Sequence, residues 1–70
     1  MELRGGAITV GELLDDPAAR AVFQRRFGPL MGHPMVQAVR SLTLDQLTGM
    51  AAVYLPRTVL QDTLRELRQL

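Results

Sequence analysis

Phe27-Gly28-Pro29-Leu30-Met31-Gly32-His33-Pro34 decides how this chain folds. Two prolines, which lack the N–H a helix needs, and two glycines, which resist helical order, sit within eight residues. No helix runs through them. Both flanks carry apolar residues at helical spacing, with no competing strand period. The chain is therefore two helical halves joined by one sharp, partly apolar connection.

Upstream, Ile8-Thr9-Val10-Gly11-Glu12-Leu13 reads as a helix start. Thr9 as N-cap with Glu12 three residues on makes a capping box, and Ile8 with Leu13 makes a hydrophobic staple. Asp15-Asp16-Pro17 ends that short helix and begins another, with Asp16 as N-cap and Pro17 at the first helical position. The second helix runs to about Phe27. Ala19, Val22, Phe23 and Phe27 share its apolar face, while Arg20, Gln24 and Arg25 point to solvent. Asp15 and Asp16 at one end and Arg25 and Arg26 at the other complement the helix dipole. Residues 1–7 contain Gly5-Gly6 and no periodicity. They read as a flexible arm, leaving residues 8–70 as a single helical domain.

Downstream, Pro34 is placed to start a third helix ending near Ser41, with Met35, Val36 and Val39 as its apolar stripe. The same starting device then recurs in Leu42-Thr43-Leu44-Asp45-Gln46-Leu47, where Thr43 caps, Gln46 takes the third position, and Leu42 and Leu47 staple. It matches Ile8–Leu13 position by position, although six residues do not establish a repeat. A fourth helix follows over about Leu44–Val53, with Leu44, Leu47 and Ala51 inward. After the Val53-Tyr54-Leu55 corner, a last helix begins at Pro56 or, by its Thr58–Gln61 box, at Thr58. Leu60, Thr63, Leu64, Leu67 and Leu70 form its stripe. The expected fold is all-α, a small orthogonal bundle of about five short helices.

Composition narrows the function classes. There is no cysteine, so disulfides and thiolate chemistry are excluded. Apolar content of 47% excludes disorder, and a net charge of +1 gives no compositional support for a general nucleic-acid or membrane-surface role. All eight basic residues are arginine, which a GC-rich genome produces without physical selection. No apolar run reaches membrane-span length, and the first residues lack the apolar core of a signal peptide. A complete chain of this kind is expected in the cytoplasm, whereas a piece of an exported protein carries no address of its own.

The candidate chemical groups each have a local explanation. His33, the one histidine, lacks further cysteine or histidine ligands for a metal, and beside Pro34 it reads as a turn residue. Asp15 and Asp16 are explained as cap and dipole partner, without the longer ligand loop a calcium site needs. Arg20, Arg25, Arg26 and Arg40 have no interleaved aromatics and read as solvated helix face. No set of residues supplies nucleophile, base and oxyanion site, so no catalysis, cofactor or metal is expected. For carbohydrate binding, Tyr54 is the one aromatic outside the inward faces.

Two resemblances add to this reading. Thr9-Val10-Gly11-Glu12-Leu13-Leu14, Pro17, Val22-Phe23 and the Gly-rich turn resemble hybrid-cluster-associated redox disulfide domains over Thr9 to Pro34. Those carry a C-x-G-C-P turn; here Gly32 and Pro34 match, but Leu30 and His33 stand at the cysteine positions. The resemblance implies a compact helical fold and denies the redox chemistry. Over more of the chain, Gly11–Val22, Pro34–Arg40, Ser41–Leu47 and Thr58–Leu70 resemble the helical module at the C-terminal ends of some bacterial glycoside hydrolases. That implies an appendage for stability, assembly or docking, with no hydrolysis of its own.

A domain this small has little interior, burying only about 60% of the surface its unfolded chain exposes. The last helix and the hinge together present more apolar residues than such a fold can bury. Leu30, Met31, Leu60, Leu64, Leu67 and Leu70 are therefore the expected interface residues, for a homodimer or for docking on a parent or partner protein. The alternative is a small-ligand or carbohydrate-binding appendage of a larger enzyme.

Overall fold

Side-chain caps mark the starts of three of the helices, and prolines precede the other two. The computed structural model describes residues 1–70 and contains five α-helices and no sheet: α1 (Val10–Asp15), α2 (Pro17–Phe27), α3 (Met35–Ala38), α4 (Leu44–Ala51) and α5 (Arg57–Arg68). The all-α small bundle expected from the sequence is what forms. Both capping boxes are complete. The Thr9 hydroxyl accepts from the Glu12 N–H while the Glu12 carboxylate accepts from the Thr9 N–H at 2.8 Å, and Thr43 and Gln46 repeat the arrangement. Asp16 accepts from the Ala18 and Ala19 N–H groups at 3.0 Å each, with Pro17 opening α2.

The breakers act as their chemistry dictates. α2 ends at Phe27, a short 3-10 turn covers Gly28–Leu30, and turns carry the chain to α3. Pro34 is the residue before α3 rather than its first, and α3 is a single turn ending at Ala38, shorter than expected. α4 stops at Ala51. α5 starts at Arg57, with Pro56 preceding it; no side chain caps this start, so the Thr58 box does not form.

The two capping boxes meet. Thr9 and Thr43 form an isolated antiparallel bridge. The Val10 N–H donates to the Leu42 carbonyl at 2.9 Å, and the Leu44 N–H donates to the Ile8 carbonyl at 2.7 Å. Gly11 donates to the Arg40 carbonyl at 2.9 Å, an approach so close that a Cβ on Gly11 would stand 3.1 Å from that oxygen. Each half thus supplies carbonyls to N–H groups that the first turn of the other half's helix leaves unpaired.

The opening residues are not the flexible arm the sequence suggested. Leu3 is buried in the core, and a 3-10 turn at Arg4–Gly6 packs on α4. Gly6 permits this: its φ is +94°, and a Cβ there would lie 2.8 Å from the Asp45 Cβ. The Met1 amine donates to the Arg68 and Leu70 carbonyls, tying the first residue to the end of α5.

Burial is lopsided. Only 11 of 70 residues are buried, and eight of them lie within the first 23 positions: Leu3, Ile8, Val10, Leu13, Leu14, Ala19, Val22 and Phe23. The second half contributes Leu44, Thr63 and Leu67. The radius of gyration, 11.0 Å, matches the roughly 11 Å expected for this length. The shortage of buried residues in the second half therefore accompanies a concavity between the two halves, and no general expansion of the molecule.

Candidate functional site: an open apolar groove

The concavity has a volume of about 240 Å³, and 14 of the 16 residues lining it are hydrophobic. Its floor is the outer side of the N-terminal core: Val10 and Leu14 of α1, with Phe23 and Phe27 of α2. Leu30 and Met31 of the hinge, with Val36 and Val39 at α3, form one wall. Leu44, Leu47 and Ala51 of α4, Leu55 of the corner, and Leu60 and Leu64 of α5 form the other. Helical spacing places each set. Leu44, Leu47 and Ala51 are three and four residues apart, as are Leu60, Thr63 and Leu64, so each helix turns one apolar stripe toward the opening.

Hinge chemistry keeps the groove open. Because Gly28–Leu30 and the turns up to Pro34 contain no long helix, this segment cannot lay a full apolar stripe across the gap. α3, only four residues long, covers little more. The lining also offers no free hydroxyl donor. Thr48 donates to the Asp45 carbonyl at 2.9 Å and Thr63 to the Val59 carbonyl at 2.7 Å, so each threonine uses its proton within its own helix. The Thr63 hydroxyl is consequently satisfied where it is buried.

Of the six expected interface residues, the groove brings together four: Leu30, Met31, Leu60 and Leu64. Leu67 belongs elsewhere. It is fully buried in the core, 0% exposed, and is unavailable to any partner. Its place on the same stripe as Leu64 gave no sign that α5 crosses from groove to core along its length. Leu70 is exposed but does not line the groove. The reading from sequence missed Val36, Leu47 and Leu55 as groove residues; the helical periodicity of Val36 and Leu47 and the apolar corner at Leu55 were visible, but the concavity they frame depends on how the helices cross. Large exposed apolar side chains gather along the same elements: Leu30, Met35, Met50, Val53 and Tyr54.

Five of the eight arginines are ion-paired around the fold. Arg25 and Arg26 at the end of α2 stay exposed, as expected of a solvated face, and both also pair with Glu66 of α5. Arg40 pairs with Asp15 at 2.7 Å, joining the end of the α3 turn to α1. Arg4 pairs with Glu12. The Glu12 carboxyl is held below its ordinary value, chiefly by the Thr9 backbone N–H; desolvation opposes this, and the charge and hydrogen bond of Arg4 and the Thr9 side chain add to the lowering. His33 lies in the exposed hinge, where its Nδ1 accepts the Met35 N–H at 3.0 Å and caps α3. No cluster of three histidine, cysteine or carboxylate side chains is spaced to hold a metal, and no helix is long and apolar enough to cross a membrane.

No family model matches this chain, and no curated protein or solved structure matches it either.

Proposed function

We propose that this chain is a non-catalytic helical accessory module that docks through its groove, onto a parent or partner protein or onto itself. The open apolar groove carries this reading. A concavity lined by 14 hydrophobic residues, in which both threonines donate within their own helices, suits apolar side chains and lacks the placed polar groups that orient a small polar ligand. Large exposed apolar side chains on the same elements, Leu30, Met35, Met50, Val53 and Tyr54, are of the kind that marks interaction surfaces. The commitment of His33 to its own turn and of Arg26 and Arg40 to structural pairs supports a scaffold role.

The test uses an apolar dye, anilinonaphthalene sulfonate, at low protein concentration. The native chain is expected to bind it with saturation, and Leu60→Glu, which places a charge in the groove wall, is expected to abolish binding with the helical circular dichroism unchanged. A native chain that binds no dye at any concentration refutes the docking reading.

A second reading, a carbohydrate-binding appendage of a larger enzyme such as a glycoside hydrolase, is favoured by one observation: Tyr54 is 86% exposed, as a sugar-stacking platform must be. Millimolar saccharide shifting the Tyr54 ring resonances would support it, and unmoved resonances would remove it.

A further inference from the structure

We infer that a second copy of this chain covers the groove, each copy seating its Val53–Tyr54 corner in the other's concavity about a two-fold axis. The inference rests on the docking reading above and names the occupant.

Val53 and Tyr54 are the most exposed of the large apolar side chains, 78% and 86% exposed. Their position is fixed. Val53, Tyr54 and Leu55 donate to the Met50 and Ala51 carbonyls, and Pro56 follows at once. This short hydrogen-bonded turn holds the ring outside the molecule's own groove. Yet Ala51 and Leu55, on either side of the corner, both line that groove. Knob and hole are thus adjacent along the chain, separated by one or two residues, and in the inferred dimer they share one face, the arrangement a self-complementary two-fold contact requires. An axis passing between them inserts both knobs at once and closes the assembly at two copies.

Size and area agree with this occupant. A dry apolar cavity of about 150 Å³ accommodates a benzene molecule. A groove of about 240 Å³ therefore has room for a phenol ring with part of a neighbouring valine, while the groove's open side leaves the hydroxyl at the rim. The exposed parts of Leu30, Met35, Met50, Val53 and Tyr54 together present on the order of 600 Å², given that one aromatic side chain buries 150–250 Å². With the groove wall added, this approaches the roughly 800 Å² per partner of a standard stable interface. Electrostatics permits the contact. No carboxylate occurs from Pro17 to Leu44 or from Gln46 to Gln61, and Arg40 is already paired, which leaves Arg57 as the one unpaired full charge near the corner.

The chain contains one tyrosine and no tryptophan, so its intrinsic fluorescence reports on Tyr54 alone. Acrylamide quenching of that fluorescence is measured alongside sedimentation velocity, from low to several hundred micromolar protein. The expected result is a monomer–dimer equilibrium in which quenching falls as dimer forms. Tyr54→Ala should weaken association by about tenfold or more, as loss of a central aromatic anchor does. Leu70→Ala, an exposed apolar residue outside the groove, should leave association unchanged. A chain that stays monomeric throughout overturns the inference, as does a dimer whose Tyr54 remains fully quenchable and whose association survives Tyr54→Ala. Either result leaves the docking reading standing if the apolar dye still binds; loss of dye binding as well removes both.

Discussion

Leu60 and Leu67 lie two turns apart on α5, and truncating each to alanine separates core from groove. Leu67→Ala removes three carbon groups from a site with no solvent contact. At about 0.8 kcal/mol per group, the transfer term alone is roughly 2.4 kcal/mol. Unfilled space adds about 24 cal/mol per Å³, which brings the cost to about 3–4 kcal/mol if the neighbours collapse only in part. A domain of this size holds only about 3–5 kcal/mol in total, so Leu67→Ala is expected to sit at the edge of unfolding. Leu60→Ala removes the same groups from a half-buried side chain facing an opening that already exists. Half the transfer term, about 1 kcal/mol, is expected, with little cavity term because the vacated space joins the groove. Urea unfolding followed by far-UV circular dichroism measures both. Low protein concentration keeps self-association from adding to the apparent stability. Equal losses for the two variants, or a loss below about 1 kcal/mol for Leu67→Ala, would refute the assignment of Leu67 to the core and Leu60 to the groove.

Two further outcomes follow from the first few residues. Because the folded-state pKa of Glu12 is depressed, its contribution is full above the ordinary carboxylate pKa, about 4.3, and is lost as pH falls through the lower folded value. Hydrogen exchange at the Thr9 amide should accelerate relative to that at the Thr43 amide over this acid window, since Gln46 does not titrate, and Glu12→Gln should abolish the difference. Gly6→Ala should destabilise by more than about 1 kcal/mol, because its positive φ and the Asp45 Cβ at 2.8 Å both oppose a methyl group. Thermal unfolding shows this as a fall in Tm, while Gly49→Ala, in the interior of α4 with open space around it, should raise stability.

What could be read from the sequence was local. Thr9, Asp16 and Thr43 announce helix starts because the partners of a cap lie two or three residues away, and the Gly–Pro hinge excludes helix by its own covalent chemistry. The starts of α1, α2 and α4 and the break after α2 followed from these signals. The arm was misread for the complementary reason: Leu3 is a lone apolar residue with no periodic companion, and only its neighbours in space reveal that it belongs to the core. Leu67 was assigned to a surface because a helical stripe specifies a face and is silent about which part of that face other elements cover. The partners of Arg25, Arg26 and Arg40 lie on distant segments and left no signal in the spacing. The groove was legible only as a surplus of apolar residues; its position depends on α3 being a single turn, which in turn reflects Val39 leaving the helix and Arg40 reaching back to α1.

The bridge between Thr9 and Thr43 makes the halves of this chain mutually dependent. α1 has its first N–H groups satisfied by carbonyls of Arg40 and Leu42, and α4 has its own satisfied by Ile8. In isolation each half would leave these opening N–H groups to water, although both begin with the same kind of box. The smallest cooperative folding unit is therefore the whole molecule, with no foldon confined to either side of the hinge. Cutting the exposed Gly32–His33 bond should yield two fragments that are largely unstructured apart and regain helix together, so that the hinge is a place where the backbone can be interrupted while the information for the fold remains divided between the pieces.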